Sequence, residues 1–170
     1  MLAFVADDEM LRRISLWQMG SLDAANWPRV WIALLVSVAL MVILPRDAAA
    51  LNALLLGESE ARHLGIAVES VKQRLILLTA LAVGVSVAVA GTIAFVGLMI
   101  PHIVRLLIGP DHRYLIPGSA LAGALLMIAA DAVSRIAVAP AELPVGILTA
   151  LLGTPFFFFL LLSRRSWEGR

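Results

Sequence analysis

The sequence predicts an all-α, polytopic transmembrane helical bundle of about five spans, and three observations carry that prediction. Hydrophobic residues fill 61% of the 170 positions and charged residues only 15%, against about 25% charged in a soluble domain; mean hydropathy is +0.96. The stretch from Leu75 to Val104 contains no Asp, Glu, Lys or Arg. The polar residues instead gather in short runs between apolar blocks, as in a chain that crosses a bilayer repeatedly.

Taken in order, residues 1–28 form a mixed, partly amphipathic lead-in with LWQMGSLDAANW at its centre. Trp17, Trp27 and Trp31 mark an interfacial aromatic belt. Val30 to Leu44, extended by Trp27 to Arg29, is a first span of about 18 residues, enough for a hydrocarbon core of about 30 Å.

A polar island from Arg46 to Arg74 follows, holding eight charged residues and His63. Asp47 is placed to cap a short helix whose leucines at 51, 54 and 55 share one face. Gly57 ends that helix, and Gly65 ends a second short piece, GESEARHL. Two short helices joined by glycines between spans describe a docking platform. A loop of this length with helical patterning is more often functional than a plain connector.

The charge-free stretch would reach about 45 Å as one helix, more than a single span needs. Gly91, Thr92 and Gly97 near its middle predict two helices instead, 72–91 and 94–108, joined by a tight turn. GPDHRY at 109–114 reads as a turn, Leu115 to Ile136 as a span, APAEL at 139–143 as a turn, and Pro144 to Ser163 as the last span. Placing the island, GPDHR and the RRSWEGR tail on one side collects most of the basic residues there. The positive-inside rule makes that side cytoplasmic, with the C-terminus, and leaves the lead-in outside.

Ionisable groups near spans are costly, so each needs an account. Pro101, His102 and Arg105 fall on one helical face at the cytoplasmic edge, as a gate or coupling contact or as an interfacial histidine with a snorkelling arginine. Asp131 and Arg135 stand i, i+4 and pair on one face, with Arg135 also open to an acidic partner outside. The last span carries Pro144, Gly146, Thr149, Gly153, Thr154 and Pro155, which suits either a pathway-lining helix or a kinked packing helix.

Several classes find no support. Net charge is only +1 and no basic stripe with interleaved aromatics occurs, so no nucleic-acid partner is expected. Cysteine is absent, which excludes disulfides and thiolate metal sites. His63, His102 and His112 lack metal-type spacing, and Ser86, Ser119 and Ser134 have no base on a shared face. Neither a catalytic residue, a metal site nor a cofactor is expected.

GESEARHLG, then AGTIAFVGLMIPHIVRLLIGPDHRYLIPGSALAGALLMIAADAVSR, then APAELPVGILTALLGTPFFFFLLL, resemble the C-terminal half of FecCD-type permeases, the membrane subunits of ABC importers for iron chelates, haem and cobalamin. WQMGSLDAANW resembles the segment before that family's sixth span. The resemblance runs through nearly the whole chain. It implies half of a type II importer permease in the bacterial inner membrane, acting with a separate ABC ATPase subunit, a second permease subunit, a periplasmic substrate-binding protein and membrane lipid. Residues 46–73 would then be the cytoplasmic coupling loop within a permease domain of 29–170, with Gly57, Glu58, Ala61, Arg62, Leu64 and Gly65 at the ATPase contact. The last span is similar to one lining the pathway, which points to Leu148, Thr149 and Leu152. Arg135 matches an arginine that accepts a glutamate of the binding protein.

A member of that family is about twice this length, so the chain is expected to hold spans six to ten, as a fragment of a longer permease or as a half-subunit. Transport of a metal chelate is the leading function. A non-transporting half-permease scaffold is the alternative, and a channel or secondary transporter is disfavoured because only Asp131 offers an intramembrane acid. The run from GPDHRYLIPGSALAG through APAELPVG resembles haem permeases slightly more than the others.

Overall fold

The computed structural model describes residues 10, 14–15, 17–22, 25–137 and 143–165, without the side chains of 161 and 163–165. The opening residues, most of the expected 139–143 turn and the tail beyond Arg165 lie outside them. Among the described residues the structure is helical, without strands. Seven α-helices are used below: α1 (Trp27–Ile43), α2 (Ala48–Leu54), α3 (Glu58–His63), α4 (Val68–Ala90), α5 (Val96–Ile108), α6 (His112–Ala137) and α7 (Val145–Arg165).

Trp27–Leu54, Val68–Ala90 and His112–Ala137 are long and apolar enough to cross a membrane, and Val96–Ile108 and Val145–Leu160 are shorter apolar helices. The five expected apolar elements are therefore present. The charge-free stretch is divided between α4 and α5, as the glycines foretold. At about 1.5 Å per residue the 23 residues of α4 give about 35 Å and the 13 of α5 about 20 Å.

The contacts divide the chain into two compact units. One comprises the described parts of 1–25, 90–99 and 124–170; the other comprises 26–89 and 100–123.

In the second unit, Asn26 caps α1: its side chain accepts the Arg29 N–H at 3.0 Å, and Pro28 occupies the first turn, where a missing N–H costs nothing. No residue of α1 is buried, as expected of a helix with an apolar solvent around it. A 3-10 turn, Leu44–Asp47, leads directly into α2. The expected cap at Asp47 is not made. Asp47 stands at the N-cap position without a side-chain cap bond; its buried carboxylate pairs with Arg74 at the start of α4 instead. A guanidinium outcompetes a backbone N–H for a buried carboxylate because the charge-assisted bond is stronger.

The 109–114 turn is also shorter than expected. His112, Arg113 and Tyr114 already belong to α6, whose start is capped by Asp111, its Oδ1 accepting the Arg113 N–H at 2.9 Å. Gly118 of α6 receives Val104 and Ile108 of α5, each 3.2 Å from where a Cβ would stand.

In the first unit, residues 17–22 form a clasp. The Ser21 N–H donates to the Ala90 carbonyl at 3.0 Å and the Gly146 N–H to the Gly20 carbonyl at 3.3 Å. The Thr92 hydroxyl donates to the Gln18 carbonyl. Gly91 lies against the Trp17 carbonyl oxygen and Gly146 against that of Met19, both too close to admit a Cβ. Phe95 adopts φ 67°, a left-handed conformation that is an outlier for a bulky residue. Its side chain fills the space beside Gly153 of α7, and its ring stands 5.7 Å from that of Phe157.

Candidate functional site: a platform between α1 and α4

Helices this short do not persist on local bonds alone, because nucleation is unfavourable, so α2 and α3 need packing. A miniature core supplies it: Ala53, Ala61 and Val68 are buried together, with Leu54 and Ile66 against them. Gly57 at φ 116° and Gly65 at φ 81° turn the chain on either side of α3, where side-chain-bearing residues would be strained. Ion pairs fasten α3 to α4. Lys72 holds Glu58, and Arg62 reaches Glu69 at 3.2 Å and Glu58 at 4.0 Å. The hydrogen bond and charge of Lys72 hold the Glu58 carboxyl below its ordinary range. These exposed pairs orient α3 more than they stabilise it.

The outer face is apolar for so polar a segment. Leu56 is 70% exposed and Leu64 65% exposed, with Leu55 also open. Glu58, Arg62, Leu64 and Gly65 lie exposed on this segment, with Gly57 partly so. Ala61 does not: at 0% exposure it lies beneath that surface and seats α3 on α2.

Behind the platform lies a polar knot that the sequence reading missed. Asn52 of α2 donates through Nδ2 to Asp111 Oδ1 at 2.7 Å. Its Oδ1 accepts the His112 N–H at 2.9 Å and lies 2.7 Å from His112 Nδ1. A carboxylate only accepts and a backbone N–H only donates, so the amide orientation is fixed and Nδ1 must carry a proton. The Arg113 N–H first, then the Asn52 amide, hold the Asp111 carboxyl below its ordinary range. One signal was available: Asn52 is the only polar residue between Ala48 and Leu56.

The remaining sequence candidates lie elsewhere. Pro101 and His102 are half-buried in α5 and Arg105 is exposed near its end. The Asp131–Arg135 pair is formed, Arg135 Nε to Oδ2 at 2.8 Å and Nη2 to Oδ1 at 3.2 Å. On α7, Thr149 is fully buried, its hydroxyl donating to the Gly146 carbonyl at 3.0 Å; Leu148 is half-buried and Leu152 exposed. This set contains no nucleophile–base arrangement among the described residues.

Comparison with known proteins gives a consistent picture. The model of the FecCD transport family matches residues 1–163. The hemin transport system permease protein HmuU of Yersinia pestis is 48% identical over 164 residues, 96% of this chain and 49% of that protein. The vitamin B12 import system permease protein BtuC of Vibrio cholerae is 44% identical over 158 residues, 93% of this chain and 47% of that protein. A solved structure described as an inward-facing conformation of a putative metal-chelate type ABC transporter superposes with a TM-score of 0.85 at 37% identity, over 94% of this chain and 52% of that one. The chain spans about half the length of the curated relatives it matches.

Proposed function

The chain belongs to the FecCD transport family, and from that premise we propose that it forms the multi-pass permease part of an ATP-binding-cassette importer for an iron-siderophore, haem or cobalamin-type chelate. The observation that carries this reading is the platform: a packed, glycine-bounded pair of short helices presenting leucines, in a chain otherwise made of apolar helices. The platform seats a separate ATPase subunit on the cytoplasmic side of the inner membrane. ATP is hydrolysed there, and the permease converts ATPase closure into alternating access without chemistry on the substrate. A second permease subunit completes the pathway, with Leu152 and Leu148 of α7 nearest to it and Thr149 holding the helix from within. Pro101, His102 and Arg105 border its cytoplasmic edge.

Haem is the preferred cargo, supported by the 48% identity to a hemin permease against 44% to a vitamin B12 permease. The test is uptake by cells lacking their own permease but supplied with the ATPase and binding protein. The chain together with a complementary half-permease should restore uptake of haem above that of cobalamin or a ferric siderophore. Equal competition among the three would remove the haem preference. A scaffold that binds partners without transporting is the second reading. Capture of the ATPase with no uptake of any of the three would favour it.

Arg135 is proposed as a docking point for a carboxylate of the periplasmic binding protein. Asp131 holds its guanidinium in place, and the side chain remains about half exposed. Charge reversal by Arg135→Glu should weaken binding-protein affinity roughly tenfold to a hundredfold, mostly at low salt, as for a charge at an interface rim. An unchanged affinity across salt would place docking elsewhere.

A further inference from the structure

The polar links of the platform run in two directions. Arg74 to Asp47, Lys72 to Glu58 and Arg62 to Glu69 tie it to α4. Asn52, through a single side-chain amide, ties α2 to the turn between α5 and α6, 59 and 60 residues away in sequence. That amide is engaged on both sides, its oxygen twice and its nitrogen once. It donates to the carboxylate that caps α6 and accepts from the first residue of α6 twice. The partners are the carboxylate that caps α6, the His112 backbone N–H and the His112 ring, all at the start of α6.

We propose that Asn52 is a positioning residue for transport: through Asp111 and His112 it makes the platform and the α5–α6 turn move as one body. This rests on the reading of the platform as the ATPase seat, and it adds the route by which motion leaves that seat. Without the knot, ATPase closure would still move α4 through its ion pairs but would not be passed to the α5–α6 hairpin. Hydrolysis would continue while substrate movement lagged behind it.

The experiment uses the complete transporter containing this chain, cleared of reactive cysteine elsewhere, with two spin labels placed by Ser59→Cys and Tyr114→Cys at exposed positions of a stretch that holds no cysteine of its own. With Asn52 intact, the distance between the labels should be narrowly distributed and unchanged by ATP. Asn52→Ala should broaden it and lower substrate moved per ATP hydrolysed at least fivefold, the lower end of ordinary coupling strengths of about 5–150-fold. The paired exchange Asn52→Asp with Asp111→Asn restores a donor facing an acceptor, and should recover both readouts. A loss of packing alone would not be rescued in this way.

An unchanged distance distribution and an unchanged transport-to-hydrolysis ratio in Asn52→Ala overturn the proposal. Failure of the exchange to restore either readout overturns it as well. ATPase capture, measured in the same preparations, separates the two readings. Retained capture with unaltered coupling removes the knot and keeps the seat. A broadened distance with an ATPase that binds elsewhere keeps the mechanical tie and removes the seat.

Discussion

Aspartate at both Leu56 and Leu64 is expected to abolish co-purification of the ATPase subunit while the chain still inserts in the membrane. Both side chains are mostly exposed and neither belongs to the buried cluster of Ala53, Ala61 and Val68, so the platform itself should survive. Burying a leucine against a partner contributes about 1.5–3 kcal/mol. Losing two removes about 3–6 kcal/mol, which at about 1.4 kcal/mol per tenfold exceeds a hundredfold in affinity. The introduced carboxylates add the cost of desolvating charge. Pull-down of the ATPase from detergent extracts is the measurement. Undiminished capture by the double variant would show that these leucines face lipid or another part of the transporter.

Gly91→Ala and Gly146→Ala should each cost more than about 3 kcal/mol, the range in which a substitution meets backbone that cannot yield. At Gly91 the new methyl group would collide with the Trp17 carbonyl, and φ there is 75°, which alone disfavours alanine. At Gly146 it would enter the Met19 carbonyl. Gly84→Ala supplies the contrast, since nothing lies within 4 Å of its would-be Cβ in α4. That change should be neutral or favourable, because alanine is the better helix former. Thermal unfolding in detergent, followed on the three variants side by side, distinguishes them. Similar midpoints for Gly84→Ala and Gly146→Ala would mean that the clasp is not formed in the membrane.

The helices were legible because their signals are local. A charge-free run too long for one span, broken by Gly91 and Gly97, gives two helices without knowledge of any neighbour. Gly57 and Gly65 announced α3 in the same way, and the i, i+4 spacing of Asp131 and Arg135 announced their pair. Contacts between distant segments left no such trace. Asp47 looked like a cap because it precedes the helical leucines at 51, 54 and 55, yet its partner is Arg74, 27 residues on. Asn52 was visible as a lone amide among leucines, but nothing near it in sequence names Asp111 and His112. The burial of Ala61 was illegible, since a six-residue helix does not reveal which face its neighbours cover.

The clasp bears on the order in which the protein is made. Met19 leaves the ribosome 127 residues before Gly146 (146 minus 19), the residue against which its carbonyl rests. At about 5–20 residues per second, that interval is about 6–25 s. Until then, residues 17–22 have the 90–92 turn to hold, and the Gly20 carbonyl waits for the first turn of α7. Closure of this unit therefore waits for α7 to emerge and cannot be completed by the segments made before it.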